Sequence, residues 1–97
     1  MTGIAVACQA MPGGWSCTVT LDEGESVTRH SVSVTRADLA RLDPGASEPT
    51  RLVRGSFEFL LEREPKESIL RQFGLPEIGR YFPEYEGAIA AHLNSND

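Results

Sequence analysis

Apolar and polar residues alternate with a period of two through the first third of the chain. Ile4, Val6, Cys8 and Ala10 share one parity. Trp15, Cys17, Val19 and Leu21 share another, with Ser16, Thr18 and Thr20 between them. That spacing predicts half-buried strands. Between the two runs, Met11-Pro12-Gly13-Gly14 has turn chemistry, since proline pre-sets its own φ and glycine supplies a positive one. Taking those four residues as the loop pairs Ala10 with Trp15, Cys8 with Cys17, Val6 with Val19 and Ile4 with Leu21. Apolar then meets apolar on one face, a match that a one-residue slip destroys. A third run follows the acidic turn Asp22-Glu23-Gly24-Glu25-Ser26. It places Thr28, His30, Val32 and Val34 inward and Val27, Arg29, Ser31 and Ser33 outward. Residues 3–35 therefore read as a three-stranded antiparallel β-meander, with Thr18, Thr20, Arg29 and Ser31 on a face left in water.

From Thr35 the period changes. Thr35 can cap a short helix that has Asp38 in its first turn, Leu39 and Leu42 on its apolar edge, and Asp43-Pro44-Gly45 at its end. Ser47-Glu48-Pro49 opens a main helix over about 48–64, with Ser47 as cap and Pro65 as stop. At 100° per residue Val53, Phe57, Leu60 and Leu61 form one apolar face, and Leu52 and Phe59 lie further round. The apolar sector is roughly half the circumference, against about 100° for an ordinary surface helix. Such a helix needs two covering layers: the sheet, and either the C-terminal segment or a second subunit. Pro65 through Phe73 reads as a further short helix with Ile69, Leu70 and Phe73 inward and Gly74 as stop. Beyond Leu75-Pro76 one stripe collects Ile78, Tyr81, Phe82, Tyr85, Ile89, His92 and Leu93. Pro83 kinks or breaks that helix, and residues 94–97 read as a frayed tail. The expected fold is α+β in a single domain, 1–97: the meander, then a helical part over 36–93 packed on one face.

Composition fits that picture. Of 97 residues 40% are hydrophobic and 24% charged, which excludes disorder. No apolar run approaches the roughly 18 residues of a membrane span. The start, Met1-Thr2-Gly3, lacks a basic n-region, and two cysteines do not make a disulfide scaffold. Those features predict a cytoplasmic protein whose thiols stay reduced. The net charge is −5 and no basic tract occurs, which argues against phosphate-backbone binding.

The candidate chemistry is sparse. Cys8 and Cys17 face each other in the expected hairpin, but read as two small buried hydrophobes in preference to a redox pair. His30 and His92 are isolated, so neither a zinc set nor a catalytic triad can be assembled around them. No cofactor and no metal is expected. Glu58, Glu62, Glu64 and Glu67 interleave with bases, and Arg54–Glu58, Glu62–Lys66, Arg63–Glu67 and Glu67–Arg71 are spaced for helical ion pairs. The stretch 70–81 has the outline of a helix-turn-helix in which Arg71 and Arg80 would meet nucleic acid. Glu77, Glu84 and Glu86 oppose that use. Phe59, Tyr81, Phe82 and Tyr85 offer an aromatic surface or a packed stripe.

The stretches Phe57-Glu58-Phe59-Leu60-Leu61-Glu62-Arg63-Glu64-Pro65-Lys66-Glu67-Ser68-Ile69-Leu70 and Ile78-Gly79-Arg80-Tyr81-Phe82-Pro83-Glu84-Tyr85 resemble a family of short, uncharacterised bacterial proteins with a β-rich start and this helical end. The resemblance covers the C-terminal half and implies a bacterial cytosolic protein. It brings no activity, ligand or catalytic residue. The reading that follows is a non-enzymatic interaction or regulatory module, as a homodimer or with a protein partner, with Leu52, Phe59 and Tyr85 as its contact. A nucleic-acid-binding regulator is the alternative. A small enzyme or thiol sensor built on Cys8, Cys17 or His30 is a third reading.

Overall fold

Strand register follows the alternation residue for residue. In the computed structural model, which describes residues 2–94, β1 (Gly3–Met11) pairs antiparallel with β2 (Gly14–Asp22). Ile4 lies opposite Leu21, Val6 opposite Val19, Cys8 opposite Cys17 and Ala10 opposite Trp15. The loop tightens to Pro12-Gly13, and Gly13 takes φ +82°, which with proline before it is the signature of a type II turn. Strand β3 (Val27–Thr35) continues the meander, with Thr28, His30, Val32 and Val34 buried and the intervening residues exposed.

Helix α1 (Arg36–Leu42) begins on a reciprocal cap, in which Thr35 Oγ1 accepts from the Asp38 amide and the Asp38 carboxylate accepts from the Thr35 amide. Helix α2 (Thr50–Leu61) is shorter than the expected 48–64. Ser47 does not cap it. Pro49 precedes it, and the Glu48 carboxylate accepts from the Thr50 amide and hydroxyl, a favourable place for an anion at a helix start. Asp43, buried just past α1, takes a two-pronged ion pair from Arg51 on α2, at 2.9 and 2.8 Å.

The larger departure follows α2. Residues 65–73 were expected as a helix. They form a 3-10 turn, Lys66–Ser68, and then strand β4 (Gln72–Gly74), which lies parallel to β3. The sheet therefore has four strands in the order β1-β2-β3-β4 and is mixed. What wins over local helix spacing is the open edge of β3: the Ser31 amide points outward and donates to the Arg71 carbonyl at 2.8 Å. A second 3-10 turn, Leu75–Glu77, leads into α3 (Ile78–Tyr81), and α4 (Tyr85–Asn94) follows as a separate helix beyond the break at Pro83. Since the period does not carry through that break, Tyr81 leaves the expected stripe and lies exposed, while Ile78, Tyr85, Ile89 and Leu93 stay buried; His92, at the margin of the α4 stripe, is exposed and pairs with Glu58. Asn94 is helical, and the rest of the expected frayed tail lies outside the described residues.

The protein is thus α+β, strands first and helices after. Its buried side chains form one cluster: α2 lies on the sheet with Val53, Phe57 and Leu60, and α4 covers the other side of α2. Each of these buried side chains contributes about 1.5–3 kcal/mol. Gly55 lets α4 come close, since a Cβ there would stand 3.1 Å from both His92 Cδ2 and Ile89 Cδ1.

The expected helical ion pairs are redistributed, those beyond Leu61 because the helix stops there and Arg54–Glu58 because each finds a partner on a neighbouring element. Lys66 bonds to Glu23, Ser26 and Glu67, Arg63 to Glu62 and Glu84, Glu58 to His92, and Arg54 to the Ile4 carbonyl.

Candidate functional site

The side chains expected to meet a partner lie inside the protein. Leu52, Phe59 and Tyr85 are 0%, 6% and 0% exposed. The Ser56 hydroxyl donates to the Leu52 carbonyl at 2.8 Å, so it accepts from the Tyr85 hydroxyl at 2.7 Å. Burial pushes the Tyr85 phenol up to about 12. Phe59 meets the Tyr85 and Phe82 rings edge-on, at 5.3 and 5.9 Å between centroids, and the Arg63 guanidinium sits 3.6 Å above it. The second layer demanded by the wide apolar arc of α2 is the chain's own C-terminal helix. The face expected to dock a partner is already filled.

Stretch 70–81 is not a pair of helices. Arg71 stands exposed just before β4 and Arg80 exposed on the four-residue α3, with a strand and a 3-10 turn between them. No recognition helix spans this segment.

Cys8 and Cys17 are joined, Sγ to Sγ, across the non-hydrogen-bonded pair of the hairpin, where antiparallel strands come closest; their Cα atoms are 4.0 Å apart. The expected pair of free buried thiols is thereby corrected to a cross-strand disulfide. Among the described residues no cysteine is free, and no group of three or more His, Cys, Asp or Glu side chains is placed to hold a metal. Among those residues no helix is long and apolar enough to cross a membrane.

His30 is an internal tether. Its Nδ1 lies 2.8 Å from the Leu70 carbonyl, which can only accept, so Nδ1 carries the proton. In the neutral ring Nε2 then accepts from the Thr28 hydroxyl at 2.9 Å. Burial lowers the His30 pKa from its ordinary value. The carbonyl bond opposes that shift and the nearby Arg71 adds to it. The ring also packs on Phe57, 5.5 Å between centroids.

These contacts, with one more, build the open feature of the molecule. The Lys66 ammonium, 1% exposed, is gripped by Glu67, by Glu23 at 2.9 Å and by Ser26, and the Glu67 and Glu23 carboxylates raise its pKa. It pins segment 65–69 to the β2–β3 turn, while His30 pins residue 70 to β3. Between this segment, the end of α2 and α3 lies a cleft of about 370 Å³. Leu60, Ile69, Phe73 and Ile78 form its apolar floor, with half-buried Phe82. Leu70 and Tyr81, 47% and 64% exposed, stand at its rim. The charged side chains lining it are Glu64 and Glu77, and Glu77 also accepts the Gly74 amide at 2.8 Å. A second hollow of about 370 Å³ runs between α2 and α4 past the Glu58–His92 pair, which is 2.8 Å apart. Its lining carries no hydroxyl or thiol to serve as nucleophile.

Two helices over 70–81 would leave no such cleft; the strand and 3-10 turn that replace them open it. An extended backbone at residues 69–70 turns neighbouring side chains to opposite sides, so Ile69 enters the floor and Leu70 faces water. The adjacent Ile69-Leu70 pair after Pro65 was the available signal. No family model, curated protein or solved structure matches this chain.

Proposed function

We propose that this protein is a small protein-interaction module that takes the apolar anchor of a partner's basic, amphipathic segment into the cleft between α2, β4 and α3. One observation carries the reading: an apolar hollow of about 370 Å³ whose rim holds two large exposed apolar side chains, Leu70 and Tyr81. Its volume is at the lower end of the roughly 300–1,000 Å³ of ligand pockets. Seating one anchor of leucine or phenylalanine size is worth about 1.5–3 kcal/mol. Charge sets the kind of partner, since Glu64 and Glu77 line the cleft and Lys and Arg do not. The two stretches that carry the family resemblance supply most of its walls, from Leu60 to Leu70 and from Ile78 to Phe82.

The test is a titration of isotope-labelled protein with a peptide of alternating lysine and leucine around a central tryptophan, and with the same peptide carrying glutamate for lysine. The basic peptide is expected to shift amides of residues 60–82 and the acidic one to bind at least about tenfold more weakly, in line with charge steering of specificity. Ser68→Trp fills the cleft from its exposed rim and is expected to abolish the shifts. Shifts spread over the acidic surface and unchanged by Ser68→Trp defeat the proposal.

A further inference from the structure

The sheet has an open side that the cleft does not involve. Strand β1 is its outer strand, paired on one side with β2 and facing no strand on the other. Which groups it presents can be worked out by parity. The Ser31 amide bonds the segment leading into β4, so Ser31 points away from β2. Ser31 lies opposite Thr18, so Thr18 points toward β1, where it meets Ala7. In an antiparallel strand both backbone groups of one residue face the same side and alternate along the chain. Ala5, Ala7 and Gln9 therefore bond to β2, and Ile4, Val6, Cys8 and Ala10 aim their N–H and C=O groups out of the sheet. The Ile4 carbonyl bears this out, since it accepts from Arg54 at 2.6 Å over the strand's edge.

Past Ile4, where Arg54 of α2 crosses it, this edge lacks the usual protections. Natural edge strands are short, or carry Lys, Pro or a bulge, because unpaired N–H and C=O groups template another strand. β1 is nine residues long, pairs with β2 without a bulge, and contains no charge and no proline, in a chain that is 24% charged. Its inner side chains are also incompletely covered. Ile4, Val6 and Cys8 are half-buried, while their opposite numbers Leu21, Val19 and Cys17 are fully buried. The apolar layer thins toward the edge, where α2 packs against β1 but leaves these side chains half-exposed.

We infer that β1 is a self-association edge that pairs antiparallel with β1 of a second copy of this chain, joining two sheets into one across a two-fold axis. Self-complementarity selects the second copy. The net charge of −5 resides outside β1, so two identical strands meet with no like charges opposed. Antiparallel pairing about a two-fold returns each outward donor of Val6, Cys8 and Ala10 to an equivalent acceptor. Arg54 already occupies the Ile4 carbonyl, so pairing runs over Val6 to Ala10. This interface stands on different residues from the cleft, and either can fail without the other.

The test combines sedimentation with amide exchange on the full chain. The protein is expected to sediment as a dimer at micromolar concentration, with Val6, Cys8 and Ala10 amides slowed as concentration rises. Ala5, Ala7 and Gln9 amides are slow at every concentration, because β2 holds them. Ala7→Lys, an exposed outer-face substitution of the kind edge strands tolerate, is expected to weaken the dimer at least about tenfold while the monomer stays folded. Tyr81→Ser at the cleft leaves it intact. A chain that sediments as a monomer up to about 100 µM, with fast exchange at Val6 and Cys8, overturns the inference and leaves that edge to a strand of some other protein. A dimer dispersed by Tyr81→Ser but not by Ala7→Lys overturns it as well.

Discussion

The meander of residues 3–35 and the segment 62–82 both send apolar side chains into the one core, yet they fold by different rules. In the meander each strand's partner is its neighbour in sequence, and a short turn fixes which residues meet. In 62–82 the partners are remote: β4 joins β3 about forty residues upstream, Lys66 reaches Glu23 and Ser26, and Leu70 is held by His30. The first region closes through local turns. The second is ordered by docking onto a surface the first has made. It is there that the open cleft lies, walled by a segment with little regular structure of its own.

Several substitutions sharpen that contrast. The largest effect is expected from Phe73→Ala, which removes a buried ring packed 6.0 Å from Phe57. It costs about 3–5 kcal/mol in urea unfolding. It also frees the Ser31 amide to exchange while β1–β2 amides stay protected; loss of protection in both regions together would show that they are one cooperative unit. Next is Gly14→Ala. A Cβ there would stand 2.2 Å from the Val34 carbonyl oxygen and 2.8 Å from Thr35 Cα, both backbone, so the hairpin must move off β3 at a cost of about 3 kcal/mol. A denaturation midpoint unchanged from wild type would mean that the close approach is absent. Tyr85→Phe touches neither region. It removes only the donor to Ser56 Oγ and is expected to cost about 1 kcal/mol, leaving amide exchange at Ser31 and Ala7 as it was.

The smallest effect near neutrality is that of pH. Burial lowers the His30 pKa below that of the unfolded chain, so the unfolded state binds the proton first. The tether's contribution is complete above the unfolded value of about 6.5 and is lost as pH falls through the lower folded value. Protonation of Nε2 also ends its acceptance from Thr28. An NMR titration of the His30 ring is expected to give a midpoint below 6.5, and Thr28→Val, which removes a bond made to the neutral ring, is expected to raise it toward that value. A midpoint above 6.5 would contradict a buried neutral ring.

How much could be read in advance follows the same division. Cys8 opposite Cys17 was legible from parity and loop length, though not their oxidation, which depends on how closely the two strands approach. The wide arc of α2 was legible as a demand for two layers. That α4 meets it, with Tyr85 seated on Ser56, required knowing how the chain returns. Tyr81 and Phe82 were visible as aromatics, but which of them faces water depended on the break at Pro83. Helical spacing over 65–73 points Leu70 inward, but the backbone there is extended and Leu70 faces water.

The sequence by itself determined the strand register, the Thr35 cap, the wet outer face of the sheet and the double-sided burial of α2. Each depends on residues within a few positions of one another, or on a periodicity that a single element carries. Tertiary structure alone decided that residues 72–74 become a strand, that Lys66 is buried among carboxylates, and that the apolar surface left over is a cleft at Leu70 and Tyr81 and an edge at β1. A backbone amide on an unfilled sheet edge accepts any chain able to reach it, and reach is a property of the folded arrangement.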